Sequence, residues 1–120
     1  MSVKEVAEKL VALCRKGNIQ ACYNQLYSQK ILSIEPENFD GMQKANGMEA
    51  VMLKLEAVAA SVEKVHSTEI GDPIIAGDHF ALNWKTVLTY KNADTITTIN
   101  EIAVFEVENG KIIKEQFFYR

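Results

Sequence analysis

The stretch from Thr95 to Arg120, TITTINEIAVFEVENGKIIKEQFFYR, decides the fold of this 120-residue chain. Two runs rich in β-branched and aromatic residues flank Glu108-Asn109-Gly110, which predicts two antiparallel strands joined by a tight turn. A two-residue loop would place Glu101 and Glu115 on opposite faces of this hairpin. A three-residue loop over 108–110, with Gly110 in the left-handed region, instead aligns the two more apolar faces. We therefore predict the three-residue loop.

The core face of this hairpin then carries two acidic residues. The predicted register sets Glu101 opposite Phe117 and Glu115 opposite Ala103, so that the two glutamates are diagonal neighbours. No basic residue lies on their face of the hairpin. Burial and a neighbouring like charge both raise the pKa of a carboxyl group. Glu101 and Glu115 are therefore the candidates for general acid–base chemistry.

The strand before this hairpin is predicted at His79 to Tyr90, after a two-residue turn at Gly77-Asp78. If the next loop places Lys91 opposite Asp94, Trp84 lies opposite Glu101. A strand of this length spans about 40 Å, whereas a domain of this size has a radius of gyration of about 13–14 Å. We therefore expect the strand to bend and twist, which makes a curved sheet that holds helices on its concave side.

Helical spacing of apolar residues occupies most of the first half of the chain. Ser2 and Glu5 form a capping box for the first helix, and Asn18 can cap a second. Asn46 and Glu49 form another capping box, which predicts a third helix through Ala60. A short strand is predicted from Ile31 to Ile34, and the period changes to two from Val62 onward. The inward residues of the third helix are predicted as Met48, Val51, Met52, Leu55, Val58 and Ala59.

Composition limits the class of protein. The chain is 48% hydrophobic and 24% charged, which is typical of one globular domain over residues 1–120. Helices followed by strands predict the α+β class. A net charge of −3 without a Lys/Arg cluster argues against nucleic acid as a partner. No apolar run is long enough for a membrane span, and the first residues predict a helix rather than a signal peptide, so we expect a cytoplasmic protein with Cys14 and Cys22 reduced and buried.

Several other side chains are candidates for a binding or catalytic site. His66 is a natural acid–base group near neutral pH if it points inward, but the sequence does not fix its face. It has no recognisable ligand spacing with Glu69 and Asp72, so we predict no metal site and no cofactor. The candidate ligand-binding residues are Tyr27, Glu35, Trp84, Phe117 and Tyr119.

Four segments of the sequence resemble a known family. They are Gly77–Leu82 (GDHFAL), Glu101–Val107 (EIAVFEV), Gly110–Ile113 (GKII) and Glu115–Tyr119 (EQFFY). Together they look like a SnoaL-like domain of the nuclear transport factor 2-like superfamily. The resemblance implies a cone-shaped, cystatin-like α+β fold with N-terminal helices packed on a strongly curved antiparallel sheet. It also implies a homodimer in which each protomer holds an apolar pocket between sheet and helices.

The resemblance covers enzymes and non-enzymes, among them polyketide cyclases, ketosteroid isomerases, dehydratases and epoxide hydrolases. The cyclases and isomerases use an aspartate within the pocket. The aspartates of this chain all lie in predicted turns or loops, which leaves Glu101 or Glu115 as the strand carboxylates able to take that role. The aspartates are Asp40, Asp72, Asp78 and Asp94.

Three functions remain open after these observations. The first is a proton-transfer enzyme of the isomerase, lyase or cyclase type, with a glutamate base and a small apolar or aromatic substrate. The second is a binding protein with the same pocket and no turnover. The third is an interaction module that works through the outer face of the sheet. That face pairs Ile102 with Gln116 and Val104 with Lys114 in the predicted register, and its apolar content predicts a homodimer. Its apolar residues are Ile102, Val104, Ile112 and Phe118.

Overall fold

The protein consists of three helices and seven strands, and the computed structural model describes all of residues 1–120. The order along the chain interleaves helices and strands in the first half and has only strands in the second. The elements are α1 (Val3–Arg15), α2 (Ile19–Leu26), β1 (Tyr27–Ile34), β2 (Lys44–Asn46), α3 (Met48–Ser61), β3 (Val62–Ile70), β4 (Ile74–Ala76), β5 (His79–Tyr90), β6 (Thr97–Glu108) and β7 (Lys111–Phe118).

The strands form one open sheet in the order β2-β1-β7-β6-β5-β3, and β4 also pairs with β5. This arrangement confirms the α+β class. The sheet is mixed rather than purely antiparallel, because β1 runs parallel to β7. Register shifts occur in the β1–β7, β3–β5 and β6–β7 pairs. Such bulges increase the twist of a sheet and bend its strands.

The predicted loop between β6 and β7 is wrong, although its consequence for the two faces is right beyond Ile113. Ile112, predicted on the outer face, instead pairs with Val107 and is fully buried in the core. The loop has two residues, Asn109 and Gly110, both with positive φ (51° and 75°). A register shift after Glu106 then compensates, because Val107 pairs with Ile112 while Glu106 pairs with Lys114. The bulge restores the same alternation that a three-residue loop would have given.

The bulge also moves every pairing beyond it by two residues from the predicted register. Phe117 pairs with Ala103 rather than with Glu101, and Glu115 pairs with Phe105 rather than with Ala103. On the outer face, Ile102 pairs with Phe118 instead of Gln116, and Val104 pairs with Gln116 instead of Lys114.

The predictions for β5 are confirmed. The strand begins at His79 and ends at Tyr90, and the Gly77-Asp78 turn leads into it from β4. Trp84 pairs with Glu101, as the predicted register required. The side chains of Phe80, Leu82 and Leu88 alternate into the core of the protein.

The helix predictions are confirmed for α1 and corrected for α3. Ser2 and Glu5 form the capping box of α1 through both of its hydrogen bonds. The third helix has no side-chain cap, because its N-cap position is Gly47 and Asn46 belongs to β2. The inward face of α3 is also narrower than predicted, since its buried residues are Val51 and Lys54 while Val58 is 40% exposed.

The first strand is longer than the predicted segment from Ile31 to Ile34. It begins at Tyr27, directly after the last residue of α2, so helix and strand are joined without a loop. This junction and the parallel pairing with β7 bring α2, β1 and β7 together at one end of the core. No helix of the structure is both long and apolar enough to cross a bilayer.

Candidate functional site

Glu115 lies at the centre of a buried hydrogen-bonded group. Its carboxylate, 1% exposed, accepts hydrogen bonds from the hydroxyls of Tyr23 (2.9 Å), Tyr27 (2.6 Å) and Ser33 (2.7 Å). Tyr23 comes from α2, Tyr27 from the helix–strand junction and Ser33 from β1. The parallel pairing of β1 with β7 sets Ser33 directly beside Glu115. Three donors around one carboxylate satisfy a charge that would otherwise be costly to bury.

Lys54 extends this group from α3. Its ammonium donates to the hydroxyl of Ser33 and to Oε2 of Glu35, 2.9 Å away. It also lies 5.5 Å from the ring centroid of Phe117. The hydroxyl of Tyr119 donates to the other oxygen of Glu35 at 3.0 Å. We call the connected set the polar cluster, which comprises Tyr23, Tyr27, Ser33, Glu35, Lys54, Glu115 and Tyr119.

Burial and hydrogen bonding have opposite effects on the pKa of Glu115. Loss of water raises the pKa of its carboxyl group, whereas hydrogen bonds from Tyr27 and Ser33 and the charge of Lys54 lower it, and the net shift is upward. Burial, followed by the charge of Glu115, raises the pKa of both Tyr23 and Tyr27 well above the usual range. The two phenols therefore remain protonated and keep donating to the carboxylate.

Glu101 differs from the other interior acids because its side chain has no hydrogen-bond or ion-pair partner. It is half-buried on the core-facing side of the sheet, opposite Trp84 on β5 and diagonal to Phe117 on β7. Burial, and then the charges of Glu35 and Glu115, raise its pKa to about 7, against a smaller opposing effect of Lys54. A carboxyl group with this pKa can both accept and release a proton near neutral pH.

The apolar surroundings of Glu101 are also only partly buried. Trp84 and Phe117 pack against the core without being enclosed by it, as do Met52 and Leu55 of α3. We call Trp84, Glu101 and Phe117 the Glu101 patch. Partly exposed aromatic side chains beside an unpartnered carboxylate can contact an apolar molecule and exchange a proton with it.

The structure brings together seven of the eight predicted site residues. Glu115, Tyr27, Glu35 and Tyr119 lie in the polar cluster, and the other three make up the Glu101 patch. Glu35, predicted as a ligand-binding residue, instead forms a buried ion pair with Lys54.

His66 is the predicted residue that the structure does not bring to this group. Its side chain is exposed, and its Nε2 lies 2.8 Å from Oγ1 of Thr89. Thr89 alternates with the core-facing Leu88 on β5, so this contact lies on the outer face of the sheet. The inward orientation on which the acid–base interpretation of His66 depended is therefore not observed.

Sequence reasoning missed three members of the polar cluster: Tyr23, Ser33 and Lys54. No basic residue of the β6–β7 hairpin shares the face of the two glutamates, but Lys54 reaches that face from α3. The signal was present, because Lys54 follows the buried Val51 by three residues and so lies on the same side of the helix.

The four aspartates and a surface groove lie outside the polar cluster and the Glu101 patch. The four aspartates are exposed, in agreement with their predicted turn and loop positions. No group of three or more His, Cys, Asp or Glu side chains is arranged to hold a metal ion. A surface groove of about 390 Å³ runs between α1 and the segment 72–75, and no residue of the polar cluster or the Glu101 patch lines it.

Comparisons with known proteins agree with this fold. The sequence model of the SnoaL-like domain matches residues 1–119. A candidate SnoaL-like polyketide cyclase from Mesorhizobium loti is 28% identical, with a TM-score of 0.92 over 99% of this chain and 100% of that one. No curated protein sequence matches the chain.

Two more distant structures of the same fold contain small molecules. TerC, co-crystallised with polyporic acid, is 15% identical with a TM-score of 0.79, over 99% of this chain and 92% of that one. A Catenulispora acidiphila protein with a ketosteroid isomerase-like fold, in complex with trimethylamine, is 19% identical with a TM-score of 0.75, over 96% of this chain and 85% of that one. At these identities the likeness shows the fold alone.

Proposed function

The chain belongs to the SnoaL-like domain family, and on that premise we propose that its concave face binds a small apolar or aromatic molecule and moves a proton on it through Glu101. One observation carries the proposal. Glu101 is the interior carboxylate without a protein partner, and burial raises its pKa to about 7. Unpartnered titratable groups in half-buried apolar surroundings are concentrated at functional sites.

The roles of the neighbouring residues follow from their chemistry. Trp84 and Phe117 would contact the apolar body of the ligand, and Glu101 would accept a proton from an acidic C–H or O–H group of it. Lys54 supplies the fixed positive charge of this interior, which would stabilise negative charge developing on the ligand. This division of roles suits an isomerase, lyase or cyclase reaction.

Glu115 suits the role of a base less well than Glu101. Three hydroxyls occupy its carboxylate, and it is shielded from any ligand that reaches the Glu101 patch. We therefore propose that Glu115 positions the polar cluster, and with it Ser33 and Lys54. The ligands bound by TerC and by the Catenulispora acidiphila protein support the choice of a small molecule as the partner.

A ligand-binding experiment with two glutamine variants tests the proposal. Hydrophobic aromatic fragments are screened by NMR against the protein, against Glu101→Gln and against Glu106→Gln, a control on the outer face of the same strand. We expect fragments to shift resonances of Trp84 and Phe117, and binding to change with pH near 7 in the protein and the control but not in Glu101→Gln. If no fragment shifts a resonance of the Glu101 patch, the proposed binding site is wrong.

We also propose that the protein forms a homodimer through the outer face of the sheet. Ile102 and Phe118 are direct cross-strand neighbours there, 52% and 50% exposed. A pair of large apolar side chains on one open sheet face is typical of an isologous interface. This surface is also where a non-catalytic interaction module would bind its partner.

A further inference from the structure

The two cysteines lie against each other behind the polar cluster. The sulfur of Cys14, near the end of α1, is 3.3 Å from that of Cys22 on α2, and the helices are joined only by residues 16–18. Both side chains are buried, at 5% and 1% exposure, and both are free thiols. A disulfide requires a sulfur separation of about 2.05 Å, so the sulfurs would need to approach by little more than about 1 Å.

Both cysteines are members of the buried hydrophobic core, and their sulfurs are in direct contact there. The thiol of Cys22 also approaches the carbonyl of Leu10 at 3.8 Å, and no further polar side chain bonds either sulfur. With no metal-binding group of side chains present, zinc coordination does not explain the contact. Two thiols at this separation, in elements joined by a short loop, have the arrangement that precedes an intramolecular disulfide.

The contact also makes the two sulfurs unequal. One thiol donates to the other, and this hydrogen bond lowers the pKa of Cys22 and raises that of Cys14. Because the thiolate is the reactive form of cysteine, Cys22 is the sulfur that reacts first and Cys14 is the one that resolves it.

We propose that Cys14 and Cys22 are a reversible oxidation site, at which hydrogen peroxide converts the pair of thiols to an intramolecular disulfide. In the first step the thiolate of Cys22 attacks one peroxide oxygen, the O–O bond breaks, and Cys22 becomes a sulfenic acid as one water is released. In the second step the sulfur of Cys14 attacks that of Cys22, the S–O bond breaks, and a second water leaves. The two thiols lose two electrons and two protons, and the peroxide becomes two waters.

This site is separate from the Glu101 patch but adjoins the polar cluster. Cys22 immediately precedes Tyr23, whose hydroxyl donates to Glu115. The charge of Glu115 also contributes to the raised pKa of Cys14, which places the carboxylate within electrostatic range of the pair. Oxidation would therefore fix the α1–α2 corner directly beside the hydroxyl donors of Glu115.

Intact-mass spectrometry of the folded chain after treatment with hydrogen peroxide tests the proposal. We expect a loss of two hydrogen atoms, disappearance of both alkylatable thiols, and one peptide cross-linking Cys14 to Cys22. A dithiol reductant should restore the original mass. A gain of oxygen without cross-linking, or disulfides between two chains, would overturn the proposal.

Two controls make the readout specific. In Cys14→Ser the resolving sulfur is absent, so the mass should rise by oxygen and a dimedone adduct should form at Cys22. The protein unfolded in urea shows whether the thiols can oxidise at all under the same conditions. If the unfolded chain forms the disulfide while the folded chain keeps both thiols, the structure prevents the reaction and the inference fails.

Discussion

Glu101 gives the structure a defined dependence of stability on pH. Its pKa is about 7 in the folded protein and 4.5 when unperturbed. A folded-state pKa above the unfolded value stabilises the protein most below the unfolded pKa, and this contribution is lost as pH rises to 7. A shift of this size corresponds to about 3 kcal/mol.

We therefore expect Glu101→Gln to raise the free energy of unfolding relative to the unmodified protein at about pH 8, and the difference to shrink at about pH 4. Urea denaturation across this range measures it. Some slope should persist in the variant, because the pKa of Glu115 is raised as well. If the free energies of unfolding of the two proteins change in parallel with pH, the carboxyl group of Glu101 reaches water and its pKa is not raised.

Removal of the Lys54 ammonium should strongly destabilise the protein. Lys54→Met leaves Glu35 with a buried charge and no cation, which typically costs about 3–5 kcal/mol. The double variant Lys54→Met with Glu35→Gln removes both charges and should recover much of that loss. Chemical denaturation of the single and double variants gives the coupling free energy between Lys54 and Glu35. Lys64→Met, at an exposed strand position, is the control. Equal losses in the single and double variants would show that the ion pair is not the cause.

Individual residues were only partly predictable from the sequence. The faces of Glu101 and Trp84 followed from alternation along two regular strands, because a period of two assigns every side chain once one is known. The surroundings of Glu115 did not, since Tyr23, Tyr27, Ser33 and Lys54 come from α2, β1 and α3 and lie 61 to 92 positions away along the chain. Periodicity describes one element at a time and contains no information on which elements meet.

The turn between β6 and β7 could be predicted from the sequence only in part. Asn109-Gly110 is the favoured pair for a two-residue hairpin turn with both residues at positive φ. The sequence displays that turn clearly, but it does not display the bulge that follows. A bulge depends on how the strand packs and twists, and so the loop was assigned a third residue to reach the same alignment of faces.

A pair of glycine substitutions tests the packing at this turn. Gly77→Ala, at φ +59° in the β4–β5 turn with open space around it, should lose about 1–2 kcal/mol through backbone strain alone. Gly110→Ala has a similar φ of +75°, but its new methyl group would also lie 3.0 Å from the backbone nitrogen of Met1. We expect the second variant to be the less stable in thermal denaturation. Equal melting temperatures would mean that Met1 moves away without cost.

The apolar residues on the outer face of the sheet lead us to expect a dimer. Ile102→Lys places a charge in the proposed interface and should split the dimer while leaving the core intact, because this side chain points away from the helices. Leu53→Lys on α3, where the side chain is 56% exposed, is the matched control and should leave the dimer unchanged. Analytical ultracentrifugation of the unmodified protein should show twice the 13.5 kDa chain mass. A single species at the chain mass would rule out this interface.

The parallel pairing of β1 with β7 has a consequence for the order in which the protein assembles. The strands from β5 to β7 are consecutive antiparallel neighbours, so their pairing closes short loops. Ser33 and Glu115 are 82 positions apart, and Tyr23 and Glu115 are 92 apart. On the ribosome, the chain therefore cannot complete the surroundings of Glu115 until its last strand has emerged, and until then Ser33 has no acidic partner on β7. We expect the backbone amides of β1 that pair with β7 to be the last to gain protection from hydrogen exchange during refolding.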